Sequence, residues 1–289
     1  MKDHIEYNES LYFNFHDEGN DLTTFMRIGN KPNKDEKSLF FVIMTSERTY
    51  GFRHATPCDD DPNSIGGLTF KRSSSGTWSL TYRGVVVDMK AAQPVPLPVA
   101  MDIEWKPQNP EMDYRRCVNE AQAEMSSKVA SEHLEQFGIA DGSLIIGEES
   151  YSIHGTGERD FSAGVRDWGS PKMWAWINSV FMEKEAFNIT KLSTDMGDVD
   201  AGYFYTDGDN HPLNDVSIDL RYKNNVPSSF TLSIKDMSDL SYDVEGTVIR
   251  YAMLPMGNDN EMLLIETISE YVWDCKKGFG IAEFLVRRG

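Results

Sequence analysis

The chain lacks most of what metal, nucleotide and nucleic-acid chemistry requires. Its three cysteines, Cys58, Cys117 and Cys275, make no Cys-x-x-Cys pair and no metal-ligand spacing, and an odd number does not suggest a disulfide framework. A reducing, cytoplasmic setting is therefore expected, with no metal. The segment Gly155-Thr-Gly157 lacks the third glycine and the Lys-Ser/Thr ending of a phosphate-binding loop. Neither a Gly-x-Ser-x-Gly elbow nor a His-Glu-x-x-His pair is present. Basic side chains are scarce: 28 Lys and Arg stand against 46 Asp and Glu, a formal charge of -18. That balance repels phosphate backbones and anionic lipid surfaces, so nucleic acid is excluded as an expected partner. No run approaches the roughly 18 apolar residues of a membrane span. The first ten residues show no basic stretch leading into an apolar one, so no signal peptide is expected.

What is plentiful is aromatic and strand-forming text. The chain holds 15 Phe, 12 Tyr and 6 Trp among 289 residues, a supply of large side chains suited to pleated surfaces. Short apolar runs at Leu11–Phe15, Leu39–Met44, Leu68–Phe70, Trp78–Tyr82, Gly84–Asp88 and Ile103–Trp105 recur about every ten residues between turn formers. A second series covers Ser143–Ile146, Glu149–His154, Trp174–Phe181, Gly202–Tyr205, Val216–Tyr222, Ser229–Lys235, Thr247–Met253, Glu261–Val272 and Gly280–Val286. Gly147 suits a hairpin between the first two of these, and Thr206–Pro212 reads as a loop. The prolines of Ala91–Pro98 cannot sustain a ladder. No βαβ alternation appears, which disfavours a parallel sheet.

One segment breaks this texture. Tyr114–Glu135 contains no Gly or Pro and is rich in helix formers, so it is expected to be a helix joining two β halves. The expected organisation is all-β: an N-terminal barrel or sandwich over 1–111, a helical connector over 112–138, and a second β domain over 139–289.

The chemistry-bearing stretch is Gly155–Trp168, read as a glycine-rich turn with two Arg-Asp pairs, Arg159-Asp160 and Arg166-Asp167. Adjacent strand residues point to opposite faces, so one member of each pair is expected to face inward, where a charge needs a partner. Asp160 is the candidate proton donor or acceptor, with Arg159 or Arg166 setting its charge state. Trp168, Trp174 and Trp176 are candidates for an apolar or cation-stabilising wall. His154 is an auxiliary catalytic candidate. His133, at the end of the expected helix, is read first as a hydrogen-bonded structural residue, and His16 as part of a solvated turn.

At these residues the sequence resembles a known family. His133-Leu-Glu-Gln136, the hairpin, Gly155–Trp168 and Trp174-Ala-Trp176 are similar to a bacterial group related to the AttH-like and carotenoid 1,2-hydratase (hydroxyneurosporene synthase) proteins. Glu9–Asp17, Arg27–Asn33 and Gly278–Phe284 carry the same resemblance at the two ends. It implies two lipocalin-like barrels and a mostly apolar cavity in which a few polar groups protonate or orient a polyene. Relatives of that fold include a terpenoid hydratase and fungal pericyclases that close decalin rings. The group commonly reads Gly-x-Arg-Asp-His-Ser-Trp-Gly at its centre. Here Phe161 replaces the His and Ala163 the Trp, which leaves Asp160 and Arg159 to carry the polar work and makes Phe161 a substrate-wall candidate.

The expectation is thus a cofactor-independent enzyme that hydrates, isomerises or cyclises a hydrophobic terpenoid- or polyketide-like molecule. The alternative is a non-catalytic binder of an apolar small molecule. A hydrophobic small molecule is the expected partner, and a homodimer is open.

Overall fold

The computed structural model describes residues 2–118, 131–165, 171–182, 184–256 and 262–287. It is all-β. The strands are β1 (Tyr7–Asp17), β2 (Leu22–Lys31), β3 (Glu36–Met44), β4 (Thr49–Thr56), β5 (Ser64–Ile65), β6 (Leu68–Arg72), β7 (Trp78–Asp88), β8 (Leu97–Pro107), β9 (Met112–Asp113) and β10 (Glu132–Ile146). They continue with β11 (Glu149–Val165), β12 (Met173–Met182), β13 (Glu185–Thr194), β14 (Gly197–Thr206), β15 (Asp209–Lys223), β16 (Val226–Asp236), β17 (Ser241–Met256), β18 (Met262–Trp273) and β19 (Lys276–Arg287). The chain divides into two compact units, Met1–Gln108 with Gln136–Ala163, and Asn109–Glu135 with Gly164–Gly289. No helix among the described residues is long and apolar enough to cross a membrane.

In the first unit the sheet runs β4-β3-β2-β1-β11-β10-β8-β7. Its ends join where Tyr50 pairs with Asp88 and Gly51 with Val87, so these strands close into a ring. The period-2 pattern says which face is inside. On β8, Val99, Met101, Ile103 and Trp105 are buried, while Asp102 and Glu104 between them are exposed. On β1, Leu11, Phe13 and Phe15 join the same core. The second unit is an up-and-down closed barrel in chain order, β12 to β19, around Phe187, Phe204, Phe230 and Tyr271. The expected architecture of two lipocalin-like β domains is the observed one.

Several local expectations change. Gly155–Val165 is a strand, the second half of β11, and not a turn. Its glycines serve close backbone approach: a Cβ on Gly157 would lie 1.9 Å from the Asn14 carbonyl oxygen of β1. Gly147 does make the β10–β11 hairpin turn, at φ 61°. β15 starts at Asp209, so the expected loop over Thr206–Pro212 shrinks to a turn at Asp207 and Gly208. Pro98 lies inside β8, opposite Val85, where its carbonyl still accepts the Gly147 N–H. His16 is buried at the end of β1 with Nδ1 2.9 Å from the Thr23 hydroxyl, because β1 extends past the turn formers read from the sequence. Residues 119–130 of the expected helix lie outside the described residues. Its flanks are a 3-10 turn, Tyr114–Arg116, and the start of β10 at Glu132.

Candidate functional site

Rings crowd both barrel interiors. In the first, Phe13 lies 4.9 Å from Phe70, 5.4 Å from Trp78 and 5.5 Å from Trp105. In the second, Phe204 stacks on Tyr242 at 4.1 Å and meets Trp273 edge to face at 4.6 Å. Convergent polar groups are found instead on the outer face of the second barrel. Ala175 and Ile177 of β12 face its core, so Trp174, Trp176 and Asn178 face outward. The register continues that face across the neighbouring strands: Trp176 opposes Thr190, Asn178 opposes Asn188, and Asn188 opposes Tyr203. All these side chains are buried.

Residues 109–118 and 131–135 of the same unit supply the next layer. β9 pairs with the start of β10, Asp113 to Leu134 and Met112 to Glu135. Asp113 caps the 3-10 turn by accepting the Arg115 N–H at 2.9 Å. Burial pushes the Asp113 carboxyl up, but its bonds to Arg115 outweigh this and hold it below the ordinary value. The turn delivers Tyr114, whose hydroxyl donates to Asn188 Oδ1 and accepts from Thr190 Oγ1 at 3.3 Å. Cys117 follows, its thiol donating to the Gly202 carbonyl at 3.0 Å. Burial pushes that thiol up to about 11, so it serves as a neutral donor and not as a nucleophile. A Cβ on Gly202 would lie 2.1 Å from the Asn188 carbonyl, so a glycine at φ 137° is what lets β13 and β14 meet here.

The centre of this layer is Glu135, at 0% exposure. One of its oxygens, Oε1, accepts the Trp176 indole N–H at 3.1 Å and lies 2.8 Å from Nε2 of His133. Positions 133 and 135 share a face of β10, so the strand itself brings imidazole and carboxylate together. The His133 side chain keeps 13% exposure, and its ring sits 4.3 Å from that of Tyr114. A buried carboxylate is costly unless it is bonded and paired. Glu135 is both, and it fixes the imidazole through Nε2. On the same barrel face, Glu283 opposes Trp176 and buried Glu266 opposes Glu283, so further carboxyl groups flank the indole.

The residues singled out by sequence divide between the units. Arg159 and Asp160 leave β11 on opposite faces, as alternation requires. Arg159 is buried with its guanidinium 5.9 Å from the Trp78 ring centre, which points it into the first barrel. Phe161 packs part-buried on that core. Asp160, half-buried, accepts from the Ser162 hydroxyl at 3.4 Å, and Ser162 meets Ser10 at 3.0 Å. His154 is exposed on the outside of the first barrel, Nδ1 2.6 Å from Asp141, while its backbone N–H donates to Asp17. Trp174 and Trp176 belong to the second unit's outer face. Arg166 and Trp168 lie outside the described residues. Sequence reasoning did not select Tyr114, Asn188 or Thr190, and it met Glu135 only within the His133–Gln136 stretch of the resemblance without giving it a role, because only strand register brings these side chains together.

The family described as "Domain of unknown function (DUF7064)" matches residues 1–288, and the chain belongs to it. No curated protein sequence matches the chain. Among solved structures it is similar to the Nitrosomonas europaea protein NE1406, assigned as an AttH, at 10% identity and a TM-score of 0.70, over 98% of this chain and 93% of that one. It is similar to CghA crystallised with Sch210972, at 9% identity and a TM-score of 0.65, over 98% and 89%. It is also similar to kievitone hydratase from Nectria haematococca, at 12% identity and a TM-score of 0.63, over 96% and 88%. The chain thus has the fold of AttH and hydratase proteins, as its central segment led us to expect.

Proposed function

We propose that this DUF7064-family protein is a cofactor-independent enzyme that adds water to, isomerises or cyclises a hydrophobic terpenoid- or polyketide-like substrate by proton transfer. The observation that carries this reading is the His133–Glu135 pair at 2.8 Å, set against Trp176 and Tyr114. The kinship in fold with a hydratase supports it as analogy.

The chemistry follows from the pair. His133, held by Glu135, supplies a ring proton to an alkene carbon of the substrate. Glu135 steadies the imidazolium through Nε2, which makes the charged ring tolerable in a mostly buried site. The carbon left electron-poor faces aromatic rings and the acidic flank of Glu283, which stabilise positive charge. In hydration a water molecule adds to that carbon and returns one proton to His133, so the sum is alkene plus water giving alcohol. In isomerisation or cyclisation the proton is lost from carbon instead. Asp160, with Phe161 beside it on β11, stands as the second candidate acid, in the first unit.

A direct test offers kievitone and a panel of polyenes and prenylated phenols to the purified protein in water enriched in oxygen-18. A hydratase yields a product heavier by one labelled water. In His133→Ala that product falls by about a hundredfold, the usual worth of a positioned acid or base. Full turnover by a folded His133→Ala protein would remove the imidazole from the mechanism.

A further inference from the structure

An ammonium group ordinarily ends in water, its stem lying along apolar surface. That of Lys37 ends inside the first unit. Lys37 is the second residue of β3, whose Leu39, Phe41 and Ile43 line the core, so alternation turns Lys37 the same way. Its side chain is 0% exposed, a burial that a charge tolerates only with partners. An ammonium has three donors. Three oxygens take them: one of the Asp59 carboxylate, the Asp61 carbonyl at 2.7 Å and the Ser64 carbonyl at 3.0 Å.

These acceptors all lie in residues 57–64, Pro-Cys-Asp-Asp-Asp-Pro-Asn-Ser, which lead from β4 into β5. Asp59, Asp61 and Asn63 stand at every second position, the spacing with which calcium loops begin. Asp59 accepts the Asp61 N–H at 3.1 Å and Asp61 accepts the Asn63 N–H at 3.0 Å, which folds the segment around its own carbonyls. A carboxylate and two backbone carbonyls on one positive charge are the oxygen donors of a hard cation. The bond to Lys37 holds the Asp59 carboxyl below its ordinary value, so the pair is ionic. Other bonds also hold the segment. Asp35 accepts the Cys58 N–H at 3.0 Å, Asn30 Nδ2 donates to the Pro62 carbonyl at 3.0 Å, and the Phe70 N–H donates to the Asn63 carbonyl at 2.9 Å. Each engages one residue of it, whereas the ammonium engages three.

We infer that residues 57–64 form a hard-cation loop whose ion is the chain's own Lys37 ammonium, the lock that holds this segment across the end of the first barrel. With the ammonium removed and its place left open, the same oxygens take a calcium ion. The unaltered chain takes none there, because the place is filled and a buried ammonium stripped of its acceptors would stand uncompensated. The lock is built in the first unit, from residues other than His133 and Glu135, so it stands whether or not the second barrel's outer face is catalytic.

The test is amide exchange and thermal unfolding of the full chain, each in EDTA and in calcium chloride. Lys37→Ala leaves an open place, Lys37→Met fills it with an apolar side chain, and Lys37→Ala with Asp59→Asn also removes the charged oxygen. In EDTA the amides of Asp61 and Asn63 should exchange about tenfold or more faster in Lys37→Met than in the unaltered chain, with Phe41 in the core unchanged. Calcium should raise the unfolding midpoint of Lys37→Ala by about 2 °C or more and slow those two amides again. It should leave the unaltered chain, Lys37→Met and the double variant as they are in EDTA. Should Lys37→Ala fail to fold by circular dichroism, Lys37→Ser, which keeps a polar group beside the open place, takes its part. The inference is overturned if Asp61 and Asn63 exchange as slowly in Lys37→Met as in the unaltered chain, or if calcium does not move Lys37→Ala. It is equally overturned if calcium stabilises the unaltered chain or the double variant as much as Lys37→Ala.

Discussion

The two barrels are closed by opposite means. The first completes its ring with only the Tyr50–Asp88 and Gly51–Val87 pairs, but Phe13, Phe70, Trp78 and Trp105 fill its interior. The second is closed by strands in simple chain order, although beyond Pro212 β15 pairs with β16 alone among the described residues, and Tyr251 and Met253 of β17 stay 42% and 36% exposed. Ring closure and a filled interior are therefore separate properties. The first barrel devotes its interior to packing and holds even Arg159 against an indole ring. The second buries polar groups on its outer wall, where polar burial without a role would cost stability.

The largest expected effect separates the interiors. Trp105→Ala should cost about 3–5 kcal/mol in urea unfolding, as for other large aromatic deletions in a filled core. Met253→Ala, at an exposed position of the second barrel, should cost less than about 1 kcal/mol. Equal costs would mean that the second barrel is packed there as the first is. Next comes the fastening of β15. Asp200→Ala removes the acceptor of the Val216 N–H and leaves Lys191 without its carboxylate, a loss of about 2–3 kcal/mol. Amide exchange should speed up along β15 and stay unchanged on β18, and uniform protection would contradict the side-chain fastening.

The smallest effect makes the barrels alike. Each buries a phenol that donates to a backbone carbonyl, Tyr82 to Val85 at 2.7 Å and Tyr271 to Ile281 at 3.0 Å. Removing either hydroxyl with Phe should cost about 1 kcal/mol. Burial pushes Tyr82 up to about 12 and Tyr271 well above its ordinary value of 10.0. Both groups keep their protons in the folded chain while the unfolded chain loses them, so their stabilisation is complete below pH 10 and declines as pH rises beyond it. Alkaline unfolding should therefore be delayed in both Phe variants. An unchanged alkaline midpoint would show that these phenols ionise in the folded protein as freely as in water.

Much of this plan was legible in the sequence, and the failures have physical causes. Apolar runs such as Leu39–Met44 and Trp174–Phe181 fell within strands because short, aromatic, alternating text has few other solutions. Gly147 was readable as a hairpin turn for the same local reason. Gly155 and Gly157 misled, because glycine marks both turns and places where two backbones touch, and only the position of Asn14 on β1 decides between them. Glu135 was hidden for two reasons. It ends a stretch of helix-forming residues, and its partners, Trp176 on β12 and the Tyr114–Asn188–Thr190 group, are set by pairings across distant segments that no spacing rule encodes. Trp176 was selected as a wall residue, but its role as donor to a buried carboxylate depends on that same register.

The central claim is that proton transfer runs through the His133–Glu135 pair on the outer wall of the second barrel. It is tested most directly by His133→Ala and Glu135→Gln, with each folded variant assayed for deuterium transfer from heavy water into product carbon. The expected result is a loss of about a hundredfold or more in both. Full transfer by either folded variant would contradict it.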